Sequence, residues 1–134
     1  CSSDLTWHEF KGNKCSEIEK APVNGTYPVE DVMIPKKVKG NIGLIIKGYF
    51  NAPQDDIYTF ALLSDDGSTL TIDSEQIVDN DGPHGPKEIV GQKALAKGYH
   101  PMELRYFDQN GGQLKLKVTG SDGKEIPFTH LYAH

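Results

Sequence analysis

Short stretches of this chain alternate apolar and polar residues with period two, and that alternation constrains its fold more than any other feature. Between Asn41 and Phe50, the residues Ile42, Leu44, Ile46 and Phe50 fall on one side of an extended chain. Tyr58, Phe60 and Leu62 form a second such face, and Leu70 and Ile72 a third around Thr71. His100, Met102, Leu104 and Tyr106 alternate with Glu103 and Arg105, and Leu114, Leu116 and Val118 with Lys115 and Lys117. Successive side chains on a strand point to opposite faces, so each run predicts one buried and one wet face. Turn chemistry separates the runs at Ala52-Pro53-Gln54-Asp55-Asp56, Asp65-Asp66-Gly67-Ser68, Asn110-Gly111-Gly112 and Ser121-Asp122-Gly123. Many short antiparallel strands with frequent turns predict an all-β sandwich or barrel. The one helix expected is a turn or two at Ser16 to Lys20, with Ser16 as cap and Pro22 as stop.

A chain of 134 residues is expected to form one domain spanning 1–134, a module of a larger protein. With 37% hydrophobic and 25% charged residues it has the composition of a folded domain, which argues against disorder. The net charge of −5 and the scattered lysines (Lys36, Lys37, Lys39, Lys115, Lys117) exclude the basic footprint of a nucleic-acid binder. No run approaches the roughly 18 apolar residues of a membrane-spanning helix. Cys1 and Cys15 leave three readings open: a disulfide, a lipidated Cys1 in Cys1-Ser2-Ser3, or a Cys1 that merely begins a module cut from a longer chain. Two cysteines without a second ligand pair argue against a zinc site.

The order of short motifs adds a family resemblance. Gly48-Tyr49-Phe50, Ile57-Tyr58-Thr59-Phe60, Leu63-Ser64-Asp65-Asp66-Gly67-Ser68 and Leu70-Thr71-Ile72-Asp73 are followed by Ile77-Val78-Asp79-Asn80-Asp81-Gly82-Pro83-His84-Gly85. Leu95-Ala96-Lys97-Gly98-Tyr99-His100-Pro101 and Leu104-Arg105-Tyr106-Phe107 complete the series, and Leu5 to Gly12 looks like a first strand. The series resembles the protective-antigen-like (PA-fourteen) domain, found in bacterial glycosidases such as β-N-acetylhexosaminidases and in yeast adhesins. The resemblance implies an antiparallel β-sandwich, in agreement with the alternation.

Asp65-Asp66 is the most informative dipeptide. Neighbouring side chains on a regular strand diverge, so two adjacent carboxylates reach one ion only where the backbone departs from that geometry. The resemblance implies a cis peptide between these aspartates and calcium bound by both. It implies a third side-chain ligand at Asp108, with carbonyls of Gln109 to Gly112 completing the shell. Carboxylate and carbonyl oxygens are the ligands calcium takes. Asp-Asp-Gly-Ser is equally a good turn without metal. Gly111-Gly112 departs from the bulkier, sugar-touching loop of the adhesins.

Other motifs carry less. Asp79-Asn80-Asp81-Gly82 does not fit an EF-hand, because Ile77 would take the first ligand position and Pro83 and Pro86 interrupt the loop; a turn closing a hairpin is expected there. His84 has no partner spaced for metal binding and is expected to be a structural loop residue. No pair of opposed carboxylates, nucleophile elbow, phosphate loop or zinc-protease helix is present, so the chain is not expected to be an enzyme. Trp7, Tyr49, Tyr99 and Phe107 are candidates for stacking on sugar, with core packing as the alternative; Phe107 stands beside Asp108. The expected function is carbohydrate binding or substrate presentation by a non-catalytic, monomeric module of an extracytoplasmic glycosidase. Asp65, Asp66 and Asp108 would hold calcium, and Phe107, Gln109, Asn110 and His84 would line the ligand. The partners expected are a glycan or oligosaccharide and the catalytic domain of the parent enzyme. A purely structural module and a surface adhesin head are the alternatives.

Overall fold

The alternating runs become strands of two packed antiparallel sheets. The computed structural model describes residues 3–10, 12, 14–29, 41–82, 85–108, 113–126 and 131–132. The strands are β1 (Ser3–Glu9), β2 (Val23–Val29), β3 (Ile42–Ala52), β4 (Asp56–Asp65), β5 (Ser68–Ile72), β6 (Glu75–Asn80), β7 (Lys87–Leu95), β8 (Gly98–Asp108), β9 (Gln113–Thr119), β10 (Glu125–Ile126) and β11 (Leu131–Tyr132). A 7-stranded sheet runs β2-β1-β3-β8-β5-β6, with β11 also paired to β3. A 4-stranded sheet runs β10-β9-β4-β7. β3 has room for both partners on one edge, because β1 covers Ile42 to Lys47 and β11 covers Tyr49 and Phe50.

The predicted inner faces form the core. Leu44, Ile46 and Phe50 of β3, Leu70 and Ile72 of β5, and Leu104 and Tyr106 of β8 meet Tyr58, Phe60 and Leu62 of β4 and Leu116 and Val118 of β9. Burial of each such side chain stabilises by about 1.5–3 kcal/mol. Phe50 packs edge-on against Tyr58 and Phe60, at centroid distances of 5.3 and 5.5 Å. At the open side of the sandwich β7 comes close to β6. A Cβ on Gly91 would fall on the Ile77 carbonyl oxygen, so the absence of a side chain permits the approach.

The larger sheet is covered on its outer face as well. Phe10, Cys15, Ile18, Ile45 and Phe107 form a second buried cluster there. A 3-10 helix, Cys15–Lys20, supplies Cys15 and Ile18. The cap is not Ser16 as expected: the N-cap is Lys14, without a side-chain cap bond. The buried Cys15 and Ile18 anchor this helix, and it ends at an extended Ala21, the conformation favoured before proline. Among the described residues Cys15 is a free buried thiol; Cys1 lies outside them.

One turn differs from expectation. The segment after Asn80 closes no hairpin, because β6 and β7 belong to different sheets. The Asn80 amide fastens the crossing, donating to Lys87 O at 2.8 Å and Leu62 O at 3.3 Å in the smaller sheet. The hairpin in this region joins β5 to β6 through Asp73 and Ser74, at φ 52° and 66°, as a two-residue primed turn requires.

Candidate functional site

Asp65 ends β4 in the smaller sheet, and Ser68 opens β5 in the larger. The chain therefore changes sheets within Asp66-Gly67, at the end of the sandwich where β8 finishes at Asp108. The crossing is tied down by buried polar groups. Ser64 Oγ donates to Asp66 O at 2.8 Å and lies 2.6 Å from Ser68 Oγ, and Asn80 Nδ2 donates to Ser64 Oγ at 3.2 Å. Phe107 N–H donates to Gly67 O at 2.9 Å. Gly67 is needed for space: a Cβ there would strike the Phe107 ring and stand 2.8 Å from Gly82 N.

Two of the three aspartates singled out by sequence, Asp65 and Asp108, meet at one hydroxyl, and Asp66 follows Asp65 in the chain. Tyr106 Oη lies 2.7 Å from Asp65 O and 3.0 Å from Asp108 Oδ2, so its single proton is shared between two acceptors. Burial pushes the Tyr106 hydroxyl well above the usual phenol range, and the charges of Asp108, Asp65 and Asp66 push it further. Tyr106 is therefore a neutral donor. Asp108 is only 3% exposed, whereas Asp65 and Asp66 are half-buried. The Asp65–Asp66 peptide bond is cis. Among the described residues no three His, Cys, Asp or Glu side chains stand close enough together to hold a metal ion. The groups at this end are oxygens, the Asp65 carbonyl and the carboxylates of Asp65, Asp66 and Asp108, whose chemistry suits a hard cation such as calcium better than zinc, although the carboxylates are not gathered on one point.

The other candidates divide. Phe107 is 0% exposed and packs edge-on against Phe10 at 5.8 Å, so it is a core residue and not a stacking platform for sugar. The short helix covers the face that sequence left open to it. Trp7 packs against the main core and Tyr49 is half-buried. Tyr99 is 50% exposed but begins β8, nine residues before Asp108. At about 3.3 Å per residue that places it roughly 30 Å from the aspartates, too far to share a small ligand with them. His84, Gln109, Asn110 and the Gly111-Gly112 pair lie outside the described residues.

Sequence reasoning missed the polar fastening. Tyr106 read as one more residue of the core face, and Ser64, Ser68 and Asn80 as turn or strand residues. The signal was there for Asn80, which shares the buried face of β6 with Val78: a buried amide in that position demands partners.

The family model described as the PA14 domain matches residues 4–128. Among solved structures, a PA14 sugar-binding domain from an RTX adhesin superposes with TM-score 0.81 at 15% identity, covering 99% of this chain and 98% of that one. The Epithelial Adhesin 9 A domain from Candida glabrata, in complex with Galb1-3GlcNAc, gives TM-score 0.75 at 12% identity over 98% of this chain and 88% of that one. An anti-sigma factor domain-containing protein from Clostridium clariflavum gives TM-score 0.82 at 19% identity over 99% of this chain and 47% of that one. Another anti-sigma factor domain-containing protein gives TM-score 0.82 at 16% identity over 99% of this chain and 48% of that one, so this chain spans about half the length of both. At these identities the likeness establishes the fold. No relative is found among curated protein sequences.

Proposed function

The chain belongs to the PA14 domain family, and on that premise we propose that it is a non-catalytic carbohydrate-binding module of an extracytoplasmic protein. The observation that carries this reading is that the Tyr106 hydroxyl ties the Asp65 carbonyl to the Asp108 carboxylate, next to Asp66, at the end where β4 crosses to β5 and β8 stops. In the proposed mechanism the Asp65, Asp66 and Asp108 carboxylates, which are not gathered on one point in this structure, would draw together on a calcium ion. Bound there, calcium would supply a hard centre able to take sugar hydroxyl oxygens as ligands. Tyr106 keeps its proton and positions the Asp108 carboxylate and the Asp65 carbonyl. Ser64, Ser68 and Asn80 hold the backbone of the loop, so little ordering is left for ligand binding to supply. Sugar-binding relatives of the same fold support the reading.

The host we propose is a glycosidase, with a hexosaminidase as one candidate. An added role of packing on a catalytic domain would use the outer face of the smaller sheet, where Ile57 and Val90 are 52% and 54% exposed, four positions apart along β4. A glycan array probed with the labelled domain, with and without calcium, tests the binding function. Calcium-dependent binding to a defined glycan class is expected. An empty array under both conditions contradicts carbohydrate binding and leaves the packing role.

A further inference from the structure

A polar hollow of about 230 Å³ opens on the outer face of the larger sheet, beside the short helix. Thr69 and Thr71 of β5, Gln76 of β6, Glu103 and Arg105 of β8, and Asp81 line it together with Cys15 and Ser16. Neither Asp65 nor Asp66 nor Asp108 does.

The hollow is prearranged around Arg105, whose side chain is only 16% exposed. Its Nε donates to Glu103 Oε2 at 3.2 Å, Nη2 to Glu19 Oε2 at 3.3 Å and Nη1 to Cys15 O at 3.4 Å. A guanidinium has about five N–H donors, so roughly two remain beyond those bonds. On another wall Asp81 Oδ1 accepts the N–H groups of Cys15 and Gly82, each at 2.9 Å, which fixes its carboxylate. Thr71 stands opposite Gln76 on one side and Glu103 on the other, so hydroxyl, amide and carboxylate groups line one short row. Holding Arg105 and Asp81 costs a ligand little, because the fold has already ordered them.

Charge and size narrow the ligand. The Arg105 charge is shared between Glu103 and Glu19, and Asp81 adds a further carboxylate, so a free anion meets no uncompensated cation. Sites for drug-sized ligands measure about 300–1,000 Å³. At about 30 Å³ per water, this hollow holds roughly seven waters or a single small ring. We infer that it is a second binding site, separate from the aspartate loop, for a neutral polyhydroxylated ligand no larger than about one sugar ring.

The test is an NMR titration of the ¹⁵N-labelled chain in calcium-free buffer with chelator. The probes are the methyl β-glycosides of glucose, galactose and N-acetylglucosamine, each to about 50 mM, which detects the millimolar affinity expected of so small a contact. Serine is the zwitterionic comparison. Saturable shifts are expected at Thr69, Thr71, Gln76 and the Arg105 Nε–H for at least one glycoside. They should persist in Asp65→Ala, weaken at least tenfold in Thr71→Phe, which fills the hollow from an outward-facing strand position, and weaken several-fold in Gln76→Leu. Absence of saturable shifts with all three glycosides overturns the proposal. So do unchanged shifts in both Thr71→Phe and Gln76→Leu, tighter binding of serine, or loss of binding in Asp65→Ala, which would move the ligand to the aspartate loop. Because calcium is absent throughout, the result is independent of the calcium-dependent reading of that loop.

Discussion

Replacing Tyr106 with phenylalanine removes one oxygen and almost no volume, and the structure predicts a large effect. That oxygen is 2.7 Å from the Asp65 carbonyl and 3.0 Å from the carboxylate of the buried Asp108. A hydrogen bond to a charged group contributes about 1.5–3 kcal/mol, and a buried acceptor left without its donor costs about 1–3 kcal/mol. The loss expected for Tyr106→Phe is therefore about 2–3 kcal/mol. Tyr58 is the internal comparison. It is also a core tyrosine, but its hydroxyl meets the neutral backbone of Gln54, donating to the carbonyl at 2.5 Å and accepting from the amide at 3.3 Å. Tyr58→Phe should cost about 1 kcal/mol. Urea denaturation at neutral pH in calcium-free buffer measures both, with unchanged slopes showing that only stability has moved. At about 3–5 °C per kcal/mol for a domain of this size, Tyr106→Phe should also melt roughly 6–15 °C lower. A Tyr106→Phe loss no greater than that of Tyr58→Phe refutes the assignment of Tyr106 as the donor that positions the aspartates.

Further expectations follow from other parts of the molecule. Gly91→Ala sets a Cβ on the Ile77 carbonyl oxygen and should cost about 1–3 kcal/mol as the sheets part at that edge; thermal melting within experimental error of the parent contradicts the close approach. Burial, reinforced by the Asp81 carboxylate, raises the Cys15 thiol above its ordinary 9.0, and Tyr106 is raised above 10.0. Both groups hold in the folded state protons that the unfolded chain releases. The stability they contribute is whole below pH 9 and is lost as pH rises, at about 1.4 kcal/mol per pH unit and group. Cys15→Ala should flatten that decline between its onset and pH 10, measured by denaturant titration across the alkaline range, and an identical profile contradicts it. Ile57→Ser combined with Val90→Ser should change the isolated domain's stability by less than about 1 kcal/mol, because both side chains are half-exposed; a larger loss by urea denaturation shows that they already pack within this domain.

The sequence exposed the core more readily than the coverings of the sheets. Alternation identifies two faces of a strand, and for β4, β5 and β9 the apolar face is the buried one. It does not say when the second face is covered too. Ile45 and Phe107 fall on the side opposite Leu44 and Tyr106, yet the short helix and Phe10 bury them. Only a contact distant in sequence explains this, which is why Phe107 looked available to a ligand. β7 escaped notice because it is an edge strand with alternately exposed and half-buried residues, leaving no strong apolar rhythm. Asp-Gly-rich turns were legible as turns, but not as hairpins or crossings. That distinction depends on which sheet receives the next strand, and Asn80 decides it through bonds to β4 and β7. The aspartates were legible as a candidate site through their chemistry and the resemblance, whereas the tyrosine and serines that tie down the loop needed the register of β4, β5 and β8.

The measurement that reaches the central claim most directly is a calorimetric calcium titration of the chelator-stripped domain, with Asp65→Ala as control. The account predicts saturable binding of one ion in the parent chain and none in the variant, with both chains folded by circular dichroism. No heat of binding up to millimolar calcium, or equal binding in Asp65→Ala, contradicts a calcium site organised by Asp65, Asp66 and Asp108.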